Sequence, residues 1–233
     1  MEAVREMLEG SVYFGVAISL VSYVLGMYLK SKTKWALMNP LLIAIILVIA
    51  TLLTLGISYD SYKRGANLIN YLLTPATVCL AVPLYQQFEL LKRNFRAVMA
   101  GMVAGVLASG VSILLLALLL GLDHAGYVTF LPKSITTAIG IGLSEELGGI
   151  VPVTVVSIIV TGVLGNVMAE KFLKLIRVRE RIAIGIAIGS ASHAVGTAKA
   201  MEMGAVEGSM SSLSIVVCGV LTVVVSPFLA MLL

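Results

Sequence analysis

Three ionisable side chains lie close together in an otherwise apolar part of the chain. The stretch "SASHAVGTAKAMEMG", residues 190–204, contains His193, Lys199 and Glu202. An imidazole can exchange a proton near neutral pH, an ammonium can bind a carboxylate, and a carboxylate can bind a cation or a proton. Such groups are costly in an apolar environment unless they are paired or hydrated. This stretch is therefore the first candidate for binding an anion or passing a proton.

Each of these side chains also has a purely structural interpretation. His193 could hydrogen-bond a neighbouring backbone carbonyl as a buried imidazole. Lys199 could pair with Glu202, because residues three positions apart share one face of a helix. The residue types alone leave both interpretations open.

An earlier stretch repeats the same pattern. Residues 131–149, "LPKSITTAIGIGLSEELGG", are rich in glycine and hydroxyl side chains, which suits irregular backbone inside a membrane protein. Identical residues stand at corresponding positions of the two stretches: Ser134 and Ser190, Ala138 and Ala194, Gly140 and Gly196, Glu146 and Glu202, Gly148 and Gly204. We therefore predict an internal repeat whose two copies line one cavity.

The two stretches contain the candidate site residues. The expected carboxylate ligands are small polar or basic: Thr136, Thr137, Ser192, His193, Thr197 and Lys199. The repeat pairs Glu146 with Glu202, and these acids are expected to handle a coupling proton or cation. Alternatively, the hydroxyls serve helix packing and the acids stabilise helix ends. Lys133, next to Pro132, is expected to extend its long stem toward water.

Other chemistry is disfavoured by the sequence. Ser192 and His193 are adjacent and would point apart on a helix, and no GxSxG motif of a hydrolase occurs. Cys79 and Cys218 lie in separate apolar segments without a metal-ligand spacing. The basic residues cluster between apolar runs, a pattern of membrane topology and not of nucleic-acid binding. We expect no enzymatic activity, no metal and no cofactor.

The composition indicates the elements that must position these residues. The 233 residues are 59% hydrophobic and 12% charged, whereas soluble domains contain roughly 25% charged residues. A membrane-spanning helix needs roughly 20 apolar residues. Runs of about that length occur at 11–29, 41–56, 97–121, 151–169 and 213–233. The chain is therefore predicted to be an all-α polytopic membrane protein.

Three basic clusters predict the orientation. They lie at residues 30–34, 92–96 and 171–181. Basic loops face the cytoplasm, so the N-terminus and a loop at 59–65 are expected outside. Segment 68–88 contains two prolines and is expected to return inward as a broken helix. Residues 97–121 then run outward, and residues 151–169 return inward to the third basic cluster. Residues 131–149, which lie between these two spans, must therefore enter and leave the membrane on the outer side.

The resulting fold class has about six spanning helices plus two re-entrant or broken-helix hairpins. Within a single domain, 1–233, we expect N-terminal helices at 11–121, a hairpin and span at 130–169, and a second hairpin and span at 182–233. The two copies begin on opposite sides of the membrane and so form an inverted repeat. Inverted repeats with interrupted helices are typical of secondary transporters. Hairpins that cross completely, giving eight crossings, are the alternative.

The sequence resembles the CidB/LrgB family of bacterial membrane proteins. The resemblance is carried by "NPLLIAI" at 39–45, "LLTPATVCLAVPLYQQ" at 72–87 and the two glycine-rich stretches, at 131–149 and 189–213. It implies a holin-like or antiholin-like modulator of murein hydrolase export and autolysis, acting with a small CidA/LrgA-type partner. It extends to plant plastid proteins that exchange glycolate and glycerate, and to bacterial pairs linked to pyruvate uptake.

Together, the residues and the resemblance favour a secondary transporter of small monocarboxylates of the pyruvate or glycolate type. A carrier needs two charged, glycine-rich hairpins, whereas a holin does not. We expect coupling to a proton or sodium, elevator-like movement, a homo-oligomer, and a bacterial cytoplasmic membrane location with the N-terminus outside. The alternative function is a holin-like or antiholin-like regulatory subunit that acts with a small CidA/LrgA-type partner.

Overall fold

The structure is a computed structural model that describes residues 2–33, 40–72, 75, 78–79 and 81–233. Within these ranges the ordered elements are helices, and no strand occurs. This confirms the all-α class. The chain forms two compact units, residues 1–79 and residues 80–233.

The first unit contains four described helices. They are α1 (Glu2–Gly10), α2 (Phe14–Thr33), α3 (Pro40–Leu55) and α4 (Tyr59–Asn70). Helix α2 packs on α4 at two glycines, since a Cβ on Gly15 or on Gly65 would meet the backbone of the other helix. The Tyr62 hydroxyl lies 3.0 Å from the Ser19 hydroxyl and adds a polar contact to this interface.

Helix α4 corrects one expectation, because residues 59–65 form its first part and not a loop. The Ser58 hydroxyl accepts a hydrogen bond from the backbone N–H of Ser61 at 3.2 Å, so it caps the helix N-terminus. Of the predicted broken helix 68–88, residues 73–74, 76–77 and 80 lie outside the described residues.

The second unit contains seven described helices. They are α5 (Ala81–Gln86), α6 (Phe88–Leu120), α7 (His124–Phe130), α8 (Thr137–Glu146), α9 (Val151–Leu175), α10 (Arg181–Met203) and α11 (Ala205–Ala230). Its buried apolar core joins α6, α10 and α11 through Val98, Met102, Ile186 and Met210.

The stretch at 131–149 contains a short helix between two irregular segments. Helix α8 is separated from α7 by residues 131–136 and from α9 by a turn in which Gly148 has φ 77°. Buried hydroxyls hold the three helices together: Thr154 donates to the Thr129 carbonyl at 2.9 Å and lies 2.7 Å from the Ser144 hydroxyl. In the turn after α8, the backbone N–H of Ile150 donates to the Thr129 hydroxyl at 2.8 Å, so this irregular backbone group is bonded to protein, as a membrane interior requires.

The later stretch contains an interrupted helix. Within α10, His193 has φ 42° and ψ −143°, which are not helical values. A positive φ is uncommon for a residue other than glycine. The part of α10 before His193 and the part after it are therefore two helices joined at a break.

By length and composition, four of the described helices can cross a membrane: α2, α6, α9 and α11. Helix α3 is apolar but has only 16 residues. This confirms a multi-pass membrane protein. The number of crossings and the inverted arrangement of the two stretches stay predictions.

Candidate functional site

The break in α10 is held by hydrogen bonds to neighbouring helices. The Nε2 of His193 lies 2.9 Å from the carbonyl oxygen of Ile158 in α9, and the imidazole is buried. A carbonyl can only accept, so Nε2 carries the proton. A Cβ on Gly162 would lie 2.6 Å from the Cε1 of His193, so this glycine provides the space for the ring. The histidine therefore has the carbonyl contact that its structural interpretation requires.

Two further predicted site residues are buried beside the break. The Thr197 hydroxyl donates to the carbonyl of His193 at 2.9 Å and lies 2.7 Å from the Ser211 hydroxyl of α11. Ser192 packs directly against Gly165 of α9, where a Cβ would overlap the serine side chain. The structure thus brings Ser192, His193 and Thr197 together where α10 meets α9 and α11.

Lys199 is paired with two carboxylates. Its Nζ lies 3.4 Å from the Oε2 of Glu202 and 3.2 Å from the Oε2 of Glu170 in α9. Glu170 also lies 2.9 Å from the Nζ of Lys174. The expected alternative pairing with Glu202 is present. Sequence reasoning missed Glu170, because its distance along the chain gives no local signal for the contact.

The remaining predicted residues lie on or next to α8. Thr136 is the N-cap residue of α8 but its hydroxyl makes no capping hydrogen bond, and it is half-buried like Thr137. Glu146 is exposed at the last position of α8. Glu202 is likewise exposed, one position before the end of α10.

A large cavity occupies the second unit. Its volume is about 1260 Å³, and it lies between α6, α9 and the part of α10 before the break. Of the predicted site residues, Ser192 alone is on its wall. The wall is mostly apolar, and its charged residues are Lys133 and Glu180. Its serines are Ser109, Ser112, Ser134, Ser190 and Ser192.

Lys133 does not have the solvent-directed position that the sequence suggested. The side chain is half-buried, and its Nζ lies 2.9 Å from the Ser134 hydroxyl and 3.4 Å from the Ser109 hydroxyl. Ser109 belongs to α6, so the lysine turns toward a neighbouring helix. No carboxylate of the described residues forms an ion pair with it.

A second, small pocket is lined in part by the two serines that contact this lysine. Its volume is about 10 Å³, close to the space that one water needs. It shares Ser109, Ser134 and Ser190 with the large cavity and adds Thr222 and Ser226 of α11. Five hydroxyl residues from four parts of the fold therefore line this pocket, and two of them, Ser109 and Ser134, contact the Lys133 ammonium.

One buried acid was also missed by sequence reasoning. Glu207, in the first turn of α11, is 6% exposed, and its Oε2 has no hydrogen-bond partner among the described residues. Its Oε1 lies 3.8 Å from the Nε of Arg181 at the start of α10. An acid in the first turn of a helix is stabilised by the helix dipole, which gives Glu207 a structural role.

Comparison with known proteins identifies related chains over nearly the whole length. The model of the LrgB-like family matches residues 19–232. An antiholin-like protein LrgB from Bacillus subtilis is 40% identical over 218 residues, which cover 93% of this chain and 94% of that protein. Proteins of the same name from Bacillus mycoides and Bacillus cereus are 38% identical over 216 residues, covering 92% of this chain and 94% of theirs. No solved structure matches this chain.

Proposed function

This chain belongs to the LrgB-like family, and from that premise we propose that it is a secondary carrier of small monocarboxylates. Its place would be the bacterial cytoplasmic membrane, with the N-terminus outside. The basic clusters at 30–34, 92–96 and 171–181 would then face the cytoplasm.

One observation carries this proposal: the break in α10 adjoins a cavity large enough for a small organic anion. The cavity of about 1260 Å³ is lined by Ser190, Ala191 and Ser192, the three residues before the break at His193. Interrupted helices inside membranes occur where the backbone is covered by protein or lines a cavity. Transporters place their binding sites at such interruptions.

The two glycine-rich stretches support a repeat. In the first, a short helix α8 follows an irregular segment and leads through Gly148 into the long helix α9. In the second, the short part of α10 follows the break and leads through Gly204 into the long helix α11. We propose that these are inverted copies whose movement relative to the other helices alternately exposes the cavity.

The predicted site residues take different parts in this proposal. Ser192 supplies a hydroxyl to the anion from the cavity wall, while His193 and Thr197 hold the break in the conformation that shapes the cavity. Thr136 and Thr137, at the start of α8, are not among the residues that line this cavity. Lys199, shared by Glu170 and Glu202, connects α9 to α10. Glu146 and Glu202 are exposed, and in this proposal they take up the coupling proton or sodium ion, Glu202 from its pairing with Lys199.

Uptake by the purified chain tests the carrier directly. The protein is reconstituted alone in liposomes, and uptake of radiolabelled pyruvate and glycolate is measured with and without a pH gradient. We expect saturable uptake above that of protein-free liposomes. Cys79→Ser, at an exposed position outside α6–α11, is the matched control and should transport like the parent chain.

A second candidate is an antiholin-like regulatory subunit that acts with a small CidA/LrgA-type membrane partner. The observation in its favour is the name of the Bacillus relatives, antiholin-like protein LrgB. If the folded chain alone shows no flux of any small acid, but co-purifies with such a partner and alters autolysis with it, this function replaces the carrier. Self-association into a homo-oligomer is compatible with both.

A further inference from the structure

Lys133 contacts helix α6 near the middle of its length. Ser109, its partner in α6, is about 20 Å from Arg96 and about 16 Å from Leu120 when measured along the helix at about 1.5 Å per residue. Arg96 belongs to the basic end of α6 and Leu120 is its last residue. The ammonium is therefore directed at the middle of a membrane-spanning helix, where a charge is expensive unless it is compensated.

The charge of Lys133 is not compensated by the described part of the chain. An ammonium has three N–H donors, and within the described part of the chain its partners are two hydroxyls, those of Ser134 and Ser109. Lys199 offers the internal contrast, since it contacts the carboxylates of both Glu170 and Glu202. Of the two lysines in the glycine-rich stretches, Lys133, on the cavity wall, is the one that forms no ion pair with a carboxylate among the described residues.

On this basis, and resting on the proposed carrier function, we infer that Lys133 binds the carboxylate of the transported anion, with Ser109 and Ser134 as additional donors. The hydroxyl of a serine can donate to a carboxylate oxygen while its lone pairs accept from the ammonium. A carboxylate beside Lys133 supplies the missing counter-charge and receives a charge-assisted hydrogen bond, which is stronger than one between neutral groups.

The surroundings of Lys133 also define the class of ligand. The small pocket of about 10 Å³ behind Ser109, Ser134 and Ser190 has room for about one water, so a bulky group cannot extend past these three serines toward Thr222 and Ser226. The rest of the ligand lies in the apolar part of the cavity. Gly105 keeps that approach open, because a Cβ there would lie 3.2 Å from the Ser190 hydroxyl.

The cavity wall selects for a single negative charge. Its only cation among the described residues is Lys133, and its only anion is Glu180. A second carboxylate on the ligand would have no cation to meet and would be repelled by the acid. The site is therefore one for monocarboxylates, and dicarboxylates and neutral analogues are excluded by charge.

The test measures binding and transport separately. Binding of glycolate, its neutral amide glycolamide, and the dicarboxylate succinate is followed by the rise in Tm of the purified chain, since a ligand of the folded state stabilises it. We expect a rise with glycolate and none with glycolamide or succinate. Uptake of labelled glycolate is measured in liposomes with the same preparations.

Three variants assign the binding to Lys133. Lys133→Gln should raise the Kd for glycolate by at least about 10-fold, because it removes a hydrogen bond to a charged group. Ser109→Ala, which leaves the charge in place, should raise it by about 5-fold. Lys92→Gln makes the same charge change at an exposed residue paired with Glu89, and should leave the Kd unchanged.

The outcomes separate this inference from the proposed function. Glycolate binding and uptake that are normal in folded Lys133→Gln would overturn the assignment and leave the carrier intact. Lys133-dependent binding without any uptake would support the anion site and contradict the carrier. Absence of both binding and uptake in the parent chain would overturn both. If Lys133→Gln does not fold, the same decision rests on Ser109→Ala, for which an unchanged Kd overturns the assignment.

Discussion

At the scale of single residues, the most informative position is His193. Its backbone has a positive φ inside a helix, yet its side chain is a buried imidazole bonded to the Ile158 carbonyl. Backbone conformations of this kind persist where surrounding contacts hold them, and they concentrate at functional sites. The hydrogen bond to Ile158 and the space provided by Gly162 are those contacts.

This geometry predicts that glycine is more stable than alanine at position 193, the reverse of their usual order in a helix. In an ordinary helix, alanine is more stable than glycine by about 1 kcal/mol. At position 193, glycine accepts the positive φ and alanine does not, so His193→Gly should have a higher Tm than His193→Ala. Both should have a lower Tm than the parent chain, because the hydrogen bond to the Ile158 carbonyl is lost, at a cost of about 0.5–1.5 kcal/mol, together with the packing of the ring.

The measurement is thermal unfolding in detergent, followed by circular dichroism. Ala198→Gly, at an exposed position later in α10, is the control. Its Tm should be lower than that of the parent chain, because glycine is less stable than alanine in an ordinary helix. A Tm of His193→Ala above that of His193→Gly would contradict the break.

At the scale of elements, the contact between α9 and α10 depends on small residues. A Cβ on Gly165 would overlap Ser192, and a Cβ on Gly162 would meet the imidazole of His193. Glycines allow membrane helices to approach closely, so that hydrogen bonds can form between them. Here the close approach also permits the bond from the Asn166 amide to the Val195 carbonyl, at 2.7 Å.

We therefore predict that Gly165→Ala destabilises the protein and lowers uptake of glycolate. Adding a methyl group to a packed interface costs about 1–3 kcal/mol, and Ser192 would be displaced from the cavity wall. Gly142→Ala is the matched control, because a Cβ at Gly142 has no atom within 4 Å. Tm and uptake are measured for both variants. Equal losses in the two variants would contradict the prediction that the close α9–α10 contact at Gly165 is required.

Ion pairs add a second link between the same elements. Lys199 of α10 contacts Glu170 of α9, and both side chains are partly exposed, 22% and 40%. Exposed pairs contribute about 0–1 kcal/mol. The glycine contacts and the buried hydrogen bonds, and not this pair, therefore dominate the stability of the α9–α10 contact.

At the scale of the whole molecule, the question is which loops lie on which side of the membrane. The loop after α6 contains Asp123, and the loop between α9 and α10 contains Arg177 and Arg179. If α6 and α9 cross the membrane and α8 does not, these two loops lie on opposite sides. The positive-inside rule then places Asp123 outside.

Labelling of introduced cysteines checks this topology. In a chain with Cys79→Ser and Cys218→Ser, Asp123→Cys should react with a membrane-impermeant maleimide in intact cells, whereas Arg179→Cys should react only after the membrane is opened. Reaction of both positions in intact cells would require α8 to cross as well, and the alternative with eight crossings would then be favoured.

The sequence alone determined the class of the protein, because a helix in lipid must be apolar along most of its length and that requirement is visible residue by residue. The runs at 97–121, 151–169 and 213–233 correspond to α6, α9 and α11. The glycine and hydroxyl content of the two other stretches predicts irregular backbone, and the structure has a short helix between irregular segments in the first and a break at His193 in the second. The helix at 59–70 was not recognised, since its charged residues resemble a loop.

Only the tertiary structure decided which ionisable groups are paired. The contacts of Lys199 with Glu170 and of Lys133 with Ser109 join residues on different helices, and no spacing in the sequence predicts them. From sequence, Lys199 was a candidate ligand and Lys133 a solvent-directed side chain, whereas packing pairs Lys199 with two carboxylates and turns Lys133 toward α6. The physical reason is that the charge of a lysine is compensated only by groups within a few ångströms of its Nζ. In a helical membrane protein many of those groups come from other helices.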